Sequence, residues 1–388
     1  MVRHLILGAV VCCPLWARAA AQTFYWYGDV NGNWTASSGG NTNWSLRSDA
    51  NQNTSNLPDG DDAVVFSVIG VTRRTVTVAS SPSINSMAFN SYATGAYTIQ
   101  SSKITLNASG GTGLSVDAAS GKHTIATDLI LASDQSFEIQ TPASPGTNAL
   151  LISGKISGSG RKLTKTGGGI LDLTNGLNDY SGGTTISEGL LRLTNAAGTS
   201  TTGGGAVLVD VQGTLGGNGA IGGAVDVKGT IAPGAGIGTL HTGGQDWFTG
   251  GGYQLEINAI TGTPGVNWDL LNINGSLDLA SAAGFGIELL TINNTGQPAA
   301  LAGFDNTIAQ SWVIAQTQGI TNFTPGLLSV DDSLWANDLD GGSFDVGVDG
   351  NNLMLQFSPV SNVPEPSGLL LAAGMLLGLS RRCRRMKR

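Results

Sequence analysis

The chain has 388 residues, of which 58 are glycine and only 12% are charged. Exposed helix faces need many charged side chains, so this composition argues against a helical enzyme and favours an all-β protein. The formal net charge is −8 although both ends are rich in arginine, so the central part is strongly acidic and we expect no nucleic-acid partner. The cysteines lie only near the ends, which leaves the central part without disulfides or a cysteine-bound metal.

Residues 1–21 have the three parts of a Sec-type signal peptide. Arg3 supplies a positive start, and an apolar run from Leu5 to Trp16 follows. This run is shorter than the about 20 residues that a membrane-spanning helix needs. The expected cleavage site consists of three small residues before Gln22: Ala19, Ala20 and Ala21. We therefore expect the Sec export machinery and a signal peptidase to act on this chain.

Residues 22–150 are predicted to form an N-terminal cap and the first β coils. Their first part is rich in asparagine and contains three tryptophans: Trp26, Trp34 and Trp44. Aromatic rings can stack on the apolar faces of sugars, which gives a glycan-binding interpretation. Large rings can also cover the open end of a stack of coils, and we favour this cap interpretation. Alternating apolar and polar residues in Thr75–Val78 and Ile104–Leu106 predict half-buried strands.

The most regular stretch of the chain runs from Gly158 to Leu193, within the predicted unit 151–250. Short apolar runs alternate there with glycine turns, which predicts short strands. Glycine pairs follow at Gly204–Gly205, Gly222–Gly223 and Gly243–Gly244, close to a repeat of about 20 residues. Such a period is typical of stacked coils whose inward Val, Ile and Leu side chains form a continuous core.

The stretch resembles the autotransporter-associated β-strand repeat, of which the chain contains one full copy. The matching positions are Gly158, Gly160, Leu163, Lys165, Gly167, Gly169, Leu171, Leu173, Asn178, Tyr180, Gly182, Thr184, Ile186, Gly189 and Leu191. The resemblance implies an all-β fold of the right-handed parallel β-helix or β-solenoid type, with glycine-rich turns. It extends to residues 251–358, which we predict to be a β-rich C-terminal cap.

Residues 359–388 combine a Pro-Glu-Pro turn, an apolar segment and an arginine-rich tail. The turn comprises Val363, Pro364, Glu365 and Pro366. The apolar segment, Gly368–Leu379, predicts a short C-terminal helix that could anchor the chain in a membrane. This order resembles the PEP-CTERM sorting signal of Gram-negative bacteria. The resemblance implies processing by an exosortase, transient membrane anchoring, a final location at the cell surface or outside the cell, and association with extracellular polysaccharide.

The sequence contains little that predicts chemistry. Four aspartates surround Gly341–Gly342 and fit only a fragment of a calcium-binding repeat: Asp338, Asp340, Asp345 and Asp349. Turn formation explains them better, so calcium is the less favoured interpretation and no other cofactor is expected. No pattern predicts a nucleophile or a phosphate loop, and we expect a non-enzymatic structural, adhesive or polysaccharide-associated protein. The alternative is a carbohydrate-binding or polysaccharide-degrading enzyme on a β-helix scaffold.

Overall fold

The structure is a computed structural model, and it describes residues 20–49, 54–67, 73–91, 95–142, 149–195 and 200–360. The described residues form strands and turns, with no α-helix among them. The strands of the first half are short: β1 (Thr23–Trp26), β2 (Ser37–Ser38), β3 (Asn41–Thr42), β4 (Trp44–Ser45), β5 (Ala63–Phe66), β6 (Thr75–Val78), β7 (Ser83–Ile84), β8 (Ser86–Phe89), β9 (Thr98–Ser101), β10 (Lys103–Leu106), β11 (Thr112–Val116), β12 (His123–Ile125), β13 (Asp128–Leu131), β14 (Gln135–Ile139), β15 (Ala149–Ile152) and β16 (Ile156–Ser157).

The strands of the second half include several longer ones: β17 (Leu163–Thr166), β18 (Ile170–Leu173), β19 (Thr184–Leu193), β20 (Val207–Gly217), β21 (Val225–Val227), β22 (Thr230–Pro233), β23 (Thr239–Thr242), β24 (Gln245–Phe248), β25 (Gly252–Ile257), β26 (Leu270–Ile273), β27 (Ser276–Ser281), β28 (Phe285–Thr291), β29 (Gln310–Gln316), β30 (Gly319–Thr321), β31 (Leu328–Leu334), β32 (Ser343–Asp349) and β33 (Asn352–Ser358). The prediction of an all-β protein is confirmed.

The largest sheet has 22 strands, and its parallel pairs fall into two ladders. The first ladder joins β1, β5, β8, β11, β14, β17, β19, β20, β21, β24, β27 and β30. The second ladder joins β6, β9, β12, β15, β18, β19, β20, β22, β25, β28 and β31. The long strands β19 and β20 contribute to both ladders, one with each half of the strand.

Two smaller sheets contain further parallel pairs, and we call these two sheets together the third ladder. One contains β7, β10, β13 and β16, and the other contains β23, β26 and β29. The antiparallel strands β33 and β32 complete the second of these sheets. Along much of the chain, successive stretches therefore add one strand to each ladder, and each new strand lies beside its counterpart from the previous stretch.

The core lies between the ladders because side chains alternate between the two faces of each strand. One inward column of the second ladder is continuous through eight in-register positions: His123, Leu150, Leu171, Leu191, Leu215, Ile231, Tyr253 and Ile287. Each of these side chains is buried. Burial of apolar surface along such a column stabilises the stack by about 25 cal/mol per Å².

Two glycines, one in the predicted repeat and one shortly after it, occupy positions where a side chain would collide with a neighbouring segment. Gly189 lies where β19 passes from the first ladder to the second and has a φ of +70°. A Cβ atom on Gly189 would lie 2.5 Å from the carbonyl oxygen of Gly167. Gly203 has a φ of +69°, and its Cβ would lie 2.0 Å from the carbonyl oxygen of Tyr180. Both the left-handed backbone and the close approach of coils require glycine here.

Two of the sequence predictions concern residues outside the described ranges. The predicted C-terminal helix falls within 361–388, and most of the predicted signal peptide falls within 1–19. Among the residues that the structure describes, no helix is long and apolar enough to cross a membrane.

Candidate functional site

The three N-terminal tryptophans lie in the core. Trp26 and Trp34 are 1% exposed and Trp44 is fully buried. The ring centroids of Trp34 and Trp44 are 4.6 Å apart, and those of Trp26 and Trp44 are 5.1 Å apart, with edge-to-face geometry in both pairs. The indole nitrogen of Trp44 donates a hydrogen bond to the carbonyl oxygen of Trp34 at 3.0 Å. Neighbouring side chains cover these faces, so a sugar ring has no access to them, and the cap role stays a prediction.

The four C-terminal aspartates are divided between a loop and a strand. Asp338 and Asp340 precede β32, and the carboxylate of Asp338 accepts the backbone N–H of Asp340 at 2.9 Å, as in an Asx turn. Asp345 and Asp349 lie on β32, where both side chains are exposed. No group of three or more His, Cys, Asp or Glu side chains within the described ranges could hold a metal ion. The structure therefore does not bring these four side chains together as a calcium site.

The predicted processing residues lie at or beyond the edges of the described chain. Ala20 and Ala21 are exposed and lead into β1, whereas Ala19 is outside the described residues. The sorting turn from Val363 to Pro366 is also outside them. Its role in processing stays a prediction.

A cavity of about 340 Å³ opens beside the third ladder and is lined without any carboxylate or permanently charged group. We call it the neutral groove. Its polar side chains are Ser200, His241, Thr242, Asn272 and Asn274, and the segment Ala220–Gly222 lies between Ser200 and His241. The lining also contains Gly222 and Gly243, and a Cβ atom on Gly243 would lie 2.5 Å from the carbonyl oxygen of Gly223.

Ladder register places the polar groups of the neutral groove in a row. His241 pairs with Asn272 between β23 and β26, and Asn272 pairs with Gln316 between β26 and β29. Paired residues of neighbouring strands lie about 5 Å apart. The side-chain amide of Gln318 donates to the Asn274 carbonyl oxygen at 2.7 Å, which extends the row at the groove edge. Two uncharged groups of the groove, His241 and Asn272, are thus in register, and the same row continues to Gln316 beyond the lining.

The histidine of the neutral groove is uncharged at neutral pH. Partial burial lowers the pKa of His241 below its ordinary value of 6.5. A neutral imidazole has one donor and one acceptor nitrogen, as the neighbouring amides have donor and acceptor atoms. The neutral groove therefore presents uncharged polar groups at neutral pH.

A second cavity, of about 190 Å³, lies beside the second ladder and contains charged residues. We call it the charged groove. Gly216 and Ala232 form its floor, with Arg192 on one side and Glu256 and Asp269 on the other. The guanidinium of Arg192 donates two hydrogen bonds to Asp172, at 2.6 and 2.7 Å. This bidentate pair fixes Arg192 in place and raises the pKa of its guanidinium.

The carboxyl groups of the charged groove are unusual because both have raised pKa values. Burial raises the pKa of Glu256, and burial raises the pKa of Asp269 well above its ordinary range. Asp269 is 1% exposed, and its two oxygens accept the backbone N–H groups of Gly238 and Glu256 at 2.8 and 2.9 Å. Asp269 therefore joins two segments of the chain, as well as lining the groove.

One residue of the predicted repeat, Lys165, is a buried cation. It occupies the inward position between Phe137 and Ile186 in the first ladder. Its ammonium group donates to the carbonyl oxygens of Thr166, Gly167 and Glu188. Burial lowers the pKa of Lys165 to about 8, and the charge of Glu188 partly opposes this shift. The lysine therefore ties the turn of one coil to the backbone of the next.

Sequence reasoning did not find either groove. The glycine pairs Gly222–Gly223 and Gly243–Gly244 were interpreted only as markers of the coil period. Their stacking also leaves a depression, and the nearby Asn272 and Asn274 were the available signal for a polar site. Recognising it required the ladder register, since these residues come from separate coils.

Comparison with known proteins agrees with the repeat that the sequence predicts. Residues 163–193 match the family described as passenger-associated-transport-repeat, within the predicted stretch Gly158–Leu193. An extracellular serine protease of Serratia marcescens is 38% identical to this chain over 107 residues. The aligned part is 27% of this chain and 10% of the protease. The similarity therefore concerns a small part of the protease, and the presence of the repeat is confirmed.

Proposed function

We propose that this protein is an exported, non-enzymatic β-solenoid of the bacterial cell surface or extracellular matrix, and that it binds neutral polysaccharide through the neutral groove. The three parallel ladders support the solenoid, because each coil adds one strand to each ladder. Parallel crossover connections are right-handed in nearly all proteins, so we assign a right-handed coil. The passenger-associated repeat and the extracellular relative support export.

The observation that carries the proposed ligand class is the row of uncharged polar groups in the neutral groove. His241, Asn272 and Gln316 follow one another in register, and the cavity beside them has no charged side chain in its lining. A polymer of neutral sugars presents hydroxyl groups at a regular spacing, so successive units can meet successive coils. A polyanion gains no cationic partner in this groove and is repelled by the acidic body of the protein.

The binding proposal is tested by removing the two asparagines of the groove. We expect the double variant Asn272→Ala/Asn274→Ala to lose about tenfold in affinity for neutral polysaccharide, because each lost hydrogen bond contributes about 0.5–1.5 kcal/mol. Affinity electrophoresis in gels that contain a neutral or an acidic polysaccharide measures the change. The matched control is Asn41→Ala, at an exposed position of β3. If the natural sequence, the double variant and Asn41→Ala are retarded equally in the gel with neutral polysaccharide, the proposal is wrong.

The proposed route of export uses both terminal segments. The signal peptide directs the chain to the Sec machinery, and an exosortase processes it near Val363–Pro366 after transient anchoring in the membrane. Fractionation of a Gram-negative host tests this route by comparing the full chain with one that ends at Val363. We expect only the full chain to pass through a membrane-bound form. If both proteins reach the same compartment with the same timing, the proposed sorting role is wrong.

The second candidate is a polysaccharide-degrading enzyme that uses the charged groove. Two carboxyl groups, Glu256 and Asp269, line that cavity, and glycoside hydrolysis commonly uses a pair of carboxyl groups, of which the acid has a raised pKa. The engagement of both Asp269 oxygens by backbone N–H groups favours a structural role instead. Release of reducing ends from a polysaccharide, lost in Glu256→Gln and kept in Asn272→Ala, would establish this second function and overturn the first.

A further inference from the structure

The backbone nitrogen of Gln22 is bound by a buried carboxylate. It donates a hydrogen bond to Oδ1 of Asp62 at 2.8 Å. Asp62 is 6% exposed, and its other oxygen accepts the backbone N–H of Asp59 at 2.9 Å. The carboxylate is therefore fixed in position and directed at the first residue after the predicted cleavage site.

The position of Gln22 is fixed by the fold and does not depend on the residues before it. Its carbonyl oxygen accepts the backbone N–H of Ala63 at 2.9 Å. The next residue, Thr23, is paired with Ala63 as β1 joins β5 in the first ladder. Ala20 and Ala21 are exposed. Removal of the segment before Gln22 would therefore leave its nitrogen beside Asp62.

Cleavage of the Ala21–Gln22 bond changes the chemistry of this nitrogen. Water adds to the Ala21 carbonyl carbon, the C–N bond breaks, and Ala21 retains a carboxylate. The Gln22 nitrogen becomes an amine and takes up a proton to form an α-ammonium group. A neutral N–H donor is thereby replaced by a cation at the same place, and hydrogen bonds between ionised groups are about twice as strong as neutral ones.

We propose that Asp62 is a receptor for the α-ammonium group of Gln22, so that removal of the signal peptide creates an ion pair between an exposed N-terminus and a buried carboxylate, which fastens the first strand to the first coil. The proposal rests on the export and cleavage proposed above. It assigns to Asp62 a role that begins only in the mature protein. Before cleavage, the same carboxylate makes an ordinary hydrogen bond to a peptide nitrogen.

The surroundings of Asp62 suit a cation. A cavity of about 480 Å³ adjoins the pair and is lined by Ala20, Gln22, Asp59 and Asp62, among others. Asp59 is the other titratable side chain in this lining, and Asp61 is its near neighbour in the same turn. The carboxylates of both residues add negative charge near Asp62, which would hold the ammonium group. Departure of Ala20 enlarges the cavity and admits water to the remaining ammonium protons.

The ion pair has a chemical consequence for an N-terminal glutamine. A free α-amine attacks the side-chain Cδ of the same glutamine, which closes a five-membered lactam and releases ammonia. The attacking lone pair is absent from an ammonium group. Because Asp62 stabilises the ammonium form, it should slow this cyclisation and preserve the charged N-terminus.

The test compares chains that begin at Gln22 with chains that begin at Ala21, each produced from a fusion protein and each extending to the natural C-terminal end. We expect the Gln22 form to melt roughly 2 °C higher at pH 6.5 and low salt. The unfolded α-amine has a pKa of about 7.7–8.0, and the ion pair raises the folded value above it. The advantage is therefore fully present below about pH 7.7 and disappears as the pH rises through the folded pKa.

The variant Asp62→Asn provides the second part of this test. In this variant the Gln22 form should lose its melting advantage, and mass spectrometry should detect loss of ammonia from the N-terminus several times faster than in the natural sequence. If the Gln22 and Ala21 forms melt at the same temperature with Asp62 intact, the proposal is wrong, and no Asp62 variant is needed to show it. N-terminal sequencing of the protein secreted by a bacterial host tests the cleavage site separately, so failure of export and failure of the ion pair are distinguishable.

Discussion

The ends and the centre of this protein differ in the side chains that fill the core. In the first coils, Phe66 stacks on Phe89 at 5.1 Å and Phe89 stacks on His123 at 4.2 Å. In the central coils, the column that begins with His123 continues through aliphatic residues: Leu150, Leu171, Leu191, Leu215 and Ile231. Aromatic residues return near the last strands, where Trp312, Trp335, Phe344 and Phe357 form a cluster.

The difference shows that clusters of several aromatic rings lie near both ends of the ladders, although single aromatic residues such as Phe137 and Tyr253 are also buried between neighbouring strands. A central coil is covered on both sides by another coil, so small aliphatic side chains in register fill its core. A terminal coil lacks one neighbour, and large rings cover the surface that would otherwise meet water. The tryptophans near the N-terminus are therefore packing residues, although their composition also suggested glycan stacking.

The largest expected effect comes from opening the N-terminal aromatic cluster. Trp44→Ala should lower the free energy of unfolding by about 3–5 kcal/mol, because Trp44 is fully buried against Trp26 and Trp34. Urea unfolding followed by circular dichroism measures the loss. Trp44→Phe should retain part of the stability. A loss below about 1 kcal/mol for the alanine variant would show that the cluster does not act as a cap.

Substitutions in the central column should lower the free energy of unfolding by less than Trp44→Ala does. The losses at two neighbouring positions should depend on each other. Leu171→Ala should cost about 3 kcal/mol, since Leu171 is fully buried. Leu191 lies beside it in register, so the double variant should lose less than the sum of the two single losses. The control is Leu177→Ala, whose side chain is 69% exposed and which should change stability by less than about 0.5 kcal/mol. Additive losses at Leu171 and Leu191 would contradict coil-to-coil packing.

The junction between the aromatic and aliphatic regions should be sensitive to acid through His123. Burial lowers the pKa of His123 to about 4, and its Nδ1 accepts the backbone N–H of Tyr97 at 3.1 Å. Between pH 6.5 and 4 the unfolded chain binds a proton that the folded chain does not bind. Stability should therefore fall by on the order of 2 kcal/mol over this range.

Unfolding titrations at pH 7, 5.5 and 4 measure this fall. The variant His123→Gln should lose the fall in stability that is due to the histidine. The fall that remains in this variant is due to the protonation of carboxylates. His241→Asn is the matched control, because His241 is only partly buried. An identical pH profile for His123→Gln and the natural sequence would refute the assignment.

The smallest effect concerns the buried cation of the repeat. Lys165→Met should cost about 1–2 kcal/mol at pH 7, because three carbonyl oxygens lose their donor. The folded pKa is lowered to about 8 from 10.5, so the unfolded chain binds more protons between these values. Stability of the natural sequence should rise across that range, and the rise should be absent in the variant. Lys162→Met, at an exposed position of the same stretch, should behave like the natural sequence.

Much of the strand content could be predicted from the sequence, whereas the candidate sites could not. Alternation in Thr75–Val78 and Ile104–Leu106 gave strands that match β6 and part of β10. The grooves escaped prediction because His241, Asn272 and Gln316 lie far apart in sequence and meet only through ladder register. The contact of Asp62 with Gln22 was likewise not predicted, because it spans 40 residues.

By itself, the sequence determined the class of fold and the repeat, because glycine spacing and apolar alternation are local properties that fix short strands and their turns. Only the tertiary structure decided which side chains face each other. Stacking places residues from successive coils about 5 Å apart whatever their separation in the chain. The burial of the three tryptophans, the register of His241 with Asn272 and the hydrogen bond between Gln22 and Asp62 were decided at this level.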